Sequence, residues 1–173
     1  VVPGSCAKCH SSSGLPTFIA EGVNVSTHPS NGLQCSTCHN DLKEFTRYEV
    51  KEVKFPSGAV IAADDPDTNL CLSCHQGRES SVSVDKLIGT TEADAHADNL
   101  RFLNPHYFAA GATLFGSEAK GMYQYAGKEY AGLNKHSDVN QCSDCHQTHA
   151  LTVDWESCVE CHEDVTSPED LQN

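Results

Sequence analysis

Ten cysteines limit what this chain can fold into more than any other feature, because all of them fall into five copies of one short pattern. The copies are Cys6-Ala-Lys-Cys9-His10, Cys35-Ser-Thr-Cys38-His39, Cys71-Leu-Ser-Cys74-His75, Cys142-Ser-Asp-Cys145-His146 and Cys158-Val-Glu-Cys161-His162. On one helical turn, residues i and i+3 share a face, so each pair of thiols can reach two vinyl groups of one porphyrin. The next residue, histidine, then falls under the iron. This is the attachment signature of c-type haem. Cysteine pairs also build zinc sites and redox-active dithiols, but neither use explains a histidine directly after all five pairs. Zinc sites also combine pairs, and five is odd. No cysteine is left over for a disulfide or a catalytic nucleophile.

Five proximal histidines, His10, His39, His75, His146 and His162, leave five others: His28, His96, His106, His136 and His149. Five irons need five further axial ligands, so the matching count points to bis-histidine ligation throughout. His106 follows Asn104-Pro105, His136 and His149 bracket the fourth motif, and His28 sits in a Pro-containing turn before the second. His149 is too close in sequence to His146 to reach the far face of the same iron, so a neighbouring haem is its expected partner. His96, in Glu92-Ala-Asp-Ala-His-Ala-Asp98, has the surroundings of a solvated face. Met122 is the alternative soft ligand, and methionine would raise the potential of one haem relative to its neighbours; a packing role explains it equally well.

The chain has 173 residues, about 35 for each of five haems. Hydrophobic residues make up 38%, below the roughly 45–50% usual in globular domains, so the macrocycles must supply much of the buried apolar surface. One haem-packed domain over residues 1–173 is expected. The haem-free chain should be largely disordered, since metal binding and folding are coupled in such small proteins; native helix content in its far-UV circular dichroism would refute this. The formal charge is −13, from 11 basic and 24 acidic residues. With basic residues scattered, nucleic-acid binding is excluded, and basic partners or cations are favoured. No apolar run approaches the roughly 20 residues that cross a bilayer. Covalent haem attachment takes place outside the cytoplasm, so an exported chain is expected, any signal peptide having been removed.

The spacers between motifs have 24, 31, 66 and 11 residues, with no fixed period. The first, with His28-Pro29-Ser-Asn-Gly32, reads as a turn-rich connector rather than a helix. In the second, Tyr48 to Phe55 and Ala59 to Ala62 flank Pro56-Ser-Gly58, a hairpin signal. Asp64-Asp-Pro-Asp-Thr-Asn69 then supplies an N-cap for a helix carrying the third motif. In the third spacer, Asn104-Pro105 predicts a helix start running to about Phe115 and stopped by Gly116. Gly121 to Tyr125 and Lys128 to Tyr130 predict a second hairpin. Asp154-Trp155-Glu156 begins a last helical turn. The expected fold is mostly irregular, with short α-helices and one or two small β-hairpins.

Cys71-Leu-Ser-Cys-His-Gln-Gly-Arg78, the Asn-Pro-His-Tyr107 run leading into Ala-Gly-Ala-Thr-Leu-Phe-Gly116, and Cys142-Ser-Asp-Cys-His-Gln-Thr-His149 resemble segments of the multihaem c-type cytochromes of anaerobic and metal-reducing prokaryotes. The resemblance covers the chain from about Cys71 to His162, with the N-terminal part matching only through its motifs. It implies a periplasmic or cell-surface electron carrier working with redox proteins or extracellular acceptors. Some members of the family polymerise into extracellular filaments, so a homopolymer with haem contact between subunits is one form to expect. By haem count the chain is also similar to the pentahaem donor of periplasmic nitrite reductase. The leading reading is an electron conduit of five haem c groups. The alternative is a reductase acting on nitrite, hydroxylamine or tetrathionate at one haem with an open axial position, leaving one histidine spare.

Overall fold

Phe55-Pro56-Ser57-Gly58 reverses the chain as its composition predicts: the Gly58 N–H donates to the Phe55 carbonyl at 2.9 Å, and Gly58 takes a positive φ of 91°. In this computed structural model, which describes residues 1–92, 94–107, 109–130, 139–167 and 169–170, the turn joins β1 (Val53–Lys54) to β2 (Val60–Ile61). The strands are antiparallel, with Val53 opposite Ile61 and Lys54 opposite Val60. The chain forms two compact units, Val1–Asn134 and Lys135–Asn173.

The core of the first unit is small and built on this hairpin. Val53, Phe55 and Ile61 turn inward to meet Leu72, Phe115 and Ala119, with Val50, Ala63 and Leu114 at the margin. The Phe55 and Phe115 rings meet edge to face at 6.1 Å. Leu72 belongs to α4 (Pro66–His75), the helix that carries the third motif. Its start is the predicted one: the Asp65 carboxylate accepts from the Thr68 N–H at 2.8 Å and Pro66 takes the first helical position. Buried Asn69 fixes this helix to the sheet's flanks, accepting from the Ala63 N–H at 2.9 Å and donating to the Lys51 carbonyl at 3.2 Å.

Three expectations from the sequence are corrected. The first spacer contains a helix, α2 (Gly14–Glu21), after α1 (Gly4–His10), which carries the first motif. Pro16 sits in its first turn, where a missing N–H costs nothing, and Gly22 ends it in the left-handed conformation with φ 71°. Asn104-Pro105 does not start a helix. The Asn104 carboxamide oxygen does accept from the His106 N–H at 2.9 Å, but His106 adopts φ 74°, which breaks helical continuation. Helix begins later, at α6 (Ala110–Leu114), and Gly116 does not stop it but opens α7 (Gly116–Ala119). Finally, residues 121–130 form no strand: the Lys128 N–H closes a turn onto the Tyr125 carbonyl at 3.2 Å, but the Tyr130 hydroxyl takes up the Tyr125 N–H where a ladder bond would lie.

Two further short helices complete the first unit. They are α3 (Cys35–Cys38), which carries the second motif, and α5 (Ser81–Ile88), capped by Ser80 accepting from the Ser83 N–H at 3.2 Å. The second unit contains α8 (Cys142–Cys145), a second hairpin of β3 (His146–Gln147) and β4 (Thr152–Val153), and a 3-10 turn over Trp155–Cys158. Short helices, two hairpins and much irregular chain are the architecture expected. No described helix is long and apolar enough to cross a membrane.

Candidate haem attachment sites

Each motif is carried on a single turn of helix or helical turn, and the backbone closes that turn on the histidine. In the second, fourth and fifth motifs the N–H of His39, His146 and His162 bonds to the carbonyl of the first cysteine, at 2.9 Å for His39 and 2.8 Å for His162. His39 and His146 lie just past their helices in extended conformation, with φ/ψ of −100°/123° and −106°/121°. In the first and third motifs the helix runs through to the histidine itself. Both arrangements leave the two thiols on one face with the imidazole adjoining them.

None of the ten cysteines is buried: Cys35 and Cys161 are exposed and the other eight are partly so. Cysteine is ordinarily among the most fully buried residues. Ten accessible thiols, in fixed pairs, fit covalent attachment of an external apolar group. Among the described residues, no three of His, Cys, Asp and Glu gather as a metal held by side chains alone would need. The surface is also apolar where a macrocycle would lie: Leu42 and Phe45 beside the second motif and Phe102 and Tyr107 beside His106 are all more than half exposed.

His39 shows a feature that motif reading misses. Its Nδ1 lies 2.8 Å from the Phe45 carbonyl. A carbonyl only accepts, so Nδ1 carries the proton and the lone pair is on Nε2, the orientation imposed on metal-ligating histidines by a partner behind them. Phe45 takes a positive φ of 53°, and its ring packs edge to face on His39 at 5.6 Å. A positive φ in a phenylalanine is not visible from sequence.

The fold brings motifs one and three together. The Cys9 and Cys74 thiols hydrogen-bond, and the Cys74 Sγ lies 3.9 Å from the Lys8 carbonyl. That bond lowers the Cys9 thiol to about 6 against the opposing effect of burial, with help from the charges of Lys8, His10 and His75. Cys74 is pushed up by the same bond and by burial, so Cys9 ionises first. Burial also raises Cys38 and Cys145. In the second unit, motifs four and five are tied by the hairpin: His146 pairs with Val153, and the Asp154 N–H donates to the Cys145 carbonyl at 2.8 Å.

The distal candidates are placed differently. The His106 ring lies 5.8 Å from that of His10. His28 is exposed and follows Thr27, whose backbone exchanges two hydrogen bonds with Val2 just before motif one. His96 is 89% exposed, its Nδ1 3.6 Å from the Asp98 carboxylate. His149 is exposed, in the turn between β3 and β4, and Met122 is half-buried in a turn. His136 lies outside the described residues.

Accessible paired thiols, each pair with its adjoining imidazole, define a class: chains that hold haem covalently. Curated relatives carry the same stamp. The chain is 29% identical over 167 residues to the C-type polyheme cytochrome OmcB of Geobacter sulfurreducens, covering 74% of this chain and 20% of that one. It is 26% identical over 193 residues to OmcC of the same species, covering 84% and 24%. To the multiheme cytochrome MtrA of Shewanella baltica it is 25% identical over 183 residues, covering 95% and 54%. The chain thus spans between a fifth and about half of the length of these relatives. No family profile and no solved structure matches it. Motifs and relatives agree in what the chain is similar to: the multihaem c-type cytochromes of metal-reducing bacteria.

Proposed function

We propose that residues 1–173 act as one pentahaem module relaying electrons between redox partners in an exported compartment, the periplasm or the cell surface. Cysteines 6 and 9, 35 and 38, 71 and 74, 142 and 145, and 158 and 161 hold five haem c groups, whose irons supply one-electron redox chemistry when bound. His10, His39, His75, His146 and His162 are the proximal ligands, and His28, His96, His106, His136 and His149 the distal ones. The observation that carries this reading is the placing of the thiols: none is buried, and each pair sits on one turn that ends at histidine. Imidazole on both faces closes every iron to small molecules, so the chain carries electrons and is not an enzyme. Its charge of −13 favours docking on basic protein surfaces or contact with cationic acceptors.

Carbon monoxide tests the ligation directly. The holoprotein should carry five haems by mass, and its reduced Soret band should be unchanged by carbon monoxide. A Soret shift would reveal an open iron and favour reduction of a small substrate there.

A further inference from the structure

We infer that His10 and His106 ligate the same iron, that of the haem held by Cys6 and Cys9. This rests on the bis-histidine reading above and adds which distal histidine serves which haem. Two imidazoles facing each other across one metal, with metal–nitrogen bonds of about 2.0–2.1 Å as zinc makes and each ring centre ~1.1 Å behind its nitrogen, have centroids about 6.3 Å apart. The His10 and His106 centroids are 5.8 Å apart, with planes at 79°. Such a separation also suits simple edge-to-face packing, but packing does not explain how His106 is held.

The loop carrying His106 is fixed from three directions. The Asn104 side chain accepts the His106 N–H at 2.9 Å. The Arg78 N–H donates to the Pro105 carbonyl at 3.0 Å. Gly77, with φ 83°, lets the loop approach so closely that an added Cβ would lie 3.3 Å from the Pro105 carbonyl and 3.2 Å from Ala109 Cβ. His106 itself takes φ 74°, a left-handed conformation strained for a residue with a side chain. Strain concentrated at one residue by surrounding constraints marks a position where direction matters. Here it aims an imidazole at His10. The loop docks on residues 77 and 78, directly after motif three, and motif three touches motif one through Cys74 and Cys9. The turn after one attachment site therefore presents the distal ligand of another, so a 96-residue separation between ligands of one iron closes through a third element.

A double substitution decides it, read as the number of haems in the reduced holoprotein that bind carbon monoxide. Wild type should give none. His106→Gly should give one. Adding His106→Gly to a His10→Gly chain should leave the count unchanged, whether haem one stays attached with an open site or is lost in maturation, as mass will report. If the count instead rises by one in the His10→Gly chain, the two histidines serve different irons and the pairing is wrong, with bis-histidine ligation intact. No new binding in His106→Gly alone also overturns the pairing. Binding by wild type would instead overturn the bis-histidine reading. Should the glycine variant not accumulate, His106→Met serves: the potential of one haem should rise in the wild-type chain, and in the His10→Gly chain no haem other than that of Cys6 and Cys9 should change.

Discussion

Gly14→Ala is expected to separate the first two helices, and the size of the effect follows from the backbone. Gly14 opens α2 against α1, and it is buried. Its N–H donates to the Ser11 hydroxyl at 3.0 Å, which in turn donates to the Ala7 carbonyl at 2.8 Å. A Cβ at Gly14 would lie 2.8 Å from the Lys8 nitrogen and nearer still to the Ala7 carbonyl. Contacts of this kind relax to about 3.5–4.0 Å, so at the nearest contact, the Ala7 carbonyl, the helices must part by about 2 Å. The obstacle is backbone, so no rotamer change relieves it. The cost should lie at the top of the usual overpacking range, about 3 kcal/mol, or a fall of about 6–12 °C in Tm for a chain of this size. Gly22→Ala supplies the contrast. Gly22 has φ 71° but nothing within 4 Å of an added Cβ, so only the left-handed backbone is strained, by about 1 kcal/mol. Guanidinium unfolding of the two holoproteins, followed by Soret and far-UV circular dichroism, should give the larger loss for Gly14→Ala. Equal midpoints, or a Gly14→Ala protein as stable as wild type, would refute the close approach of α1 and α2.

Three other substitutions probe the support of motif three, all read from the same unfolding curves. Leu72→Ala, at a side chain only 2% exposed in the core, should cost about 3 kcal/mol; a loss below about 1 kcal/mol would refute the burial of Leu72 in that core. Asn69→Ala strands the Ala63 N–H and the Lys51 carbonyl and should cost about 2 kcal/mol, with Asn69→Leu no better. Asp65→Ala removes the cap on Thr68 for about 1 kcal/mol, and Asp65→Asn should restore most of it.

What could be read from the sequence was local and had a stated chemical cause. Pro56-Ser-Gly58 could only be a turn, and Asp65-Pro66 could only begin a helix, so β1, β2 and α4 were legible. The helix α2 carries signals of the same kind, Pro16 near its start and Gly22 past its end, but the stronger turn signal of His28-Pro29-Ser-Asn-Gly32 marks the whole spacer as a connector. Asn104 keeps its capping bond, yet the backbone at His106 turns left-handed because the loop is pulled onto Gly77 and Arg78, residues distant in sequence. The tyrosines of residues 121–130 carry β propensity, but the Tyr130 hydroxyl occupies a backbone N–H. The candidate attachment residues stand out from spacing alone. The contact of motif one with motif three, the approach of His106 to His10 and the Phe45 carbonyl behind His39 are long-range or backbone features, and no pattern of residue types encodes them.

The way the histidines of motifs two, four and five close their own turns bears on how such chains change over evolutionary time. A site that needs one helical turn, sealed by its own N–H to the carbonyl four residues back, closes locally, whatever further bonds its flanks add. It can be inserted into an exposed loop or lost from one without disturbing the scaffold's register. Copy number can then vary by small insertions, a route that requires no regular period, and the spacers here, of 24, 31, 66 and 11 residues, have none.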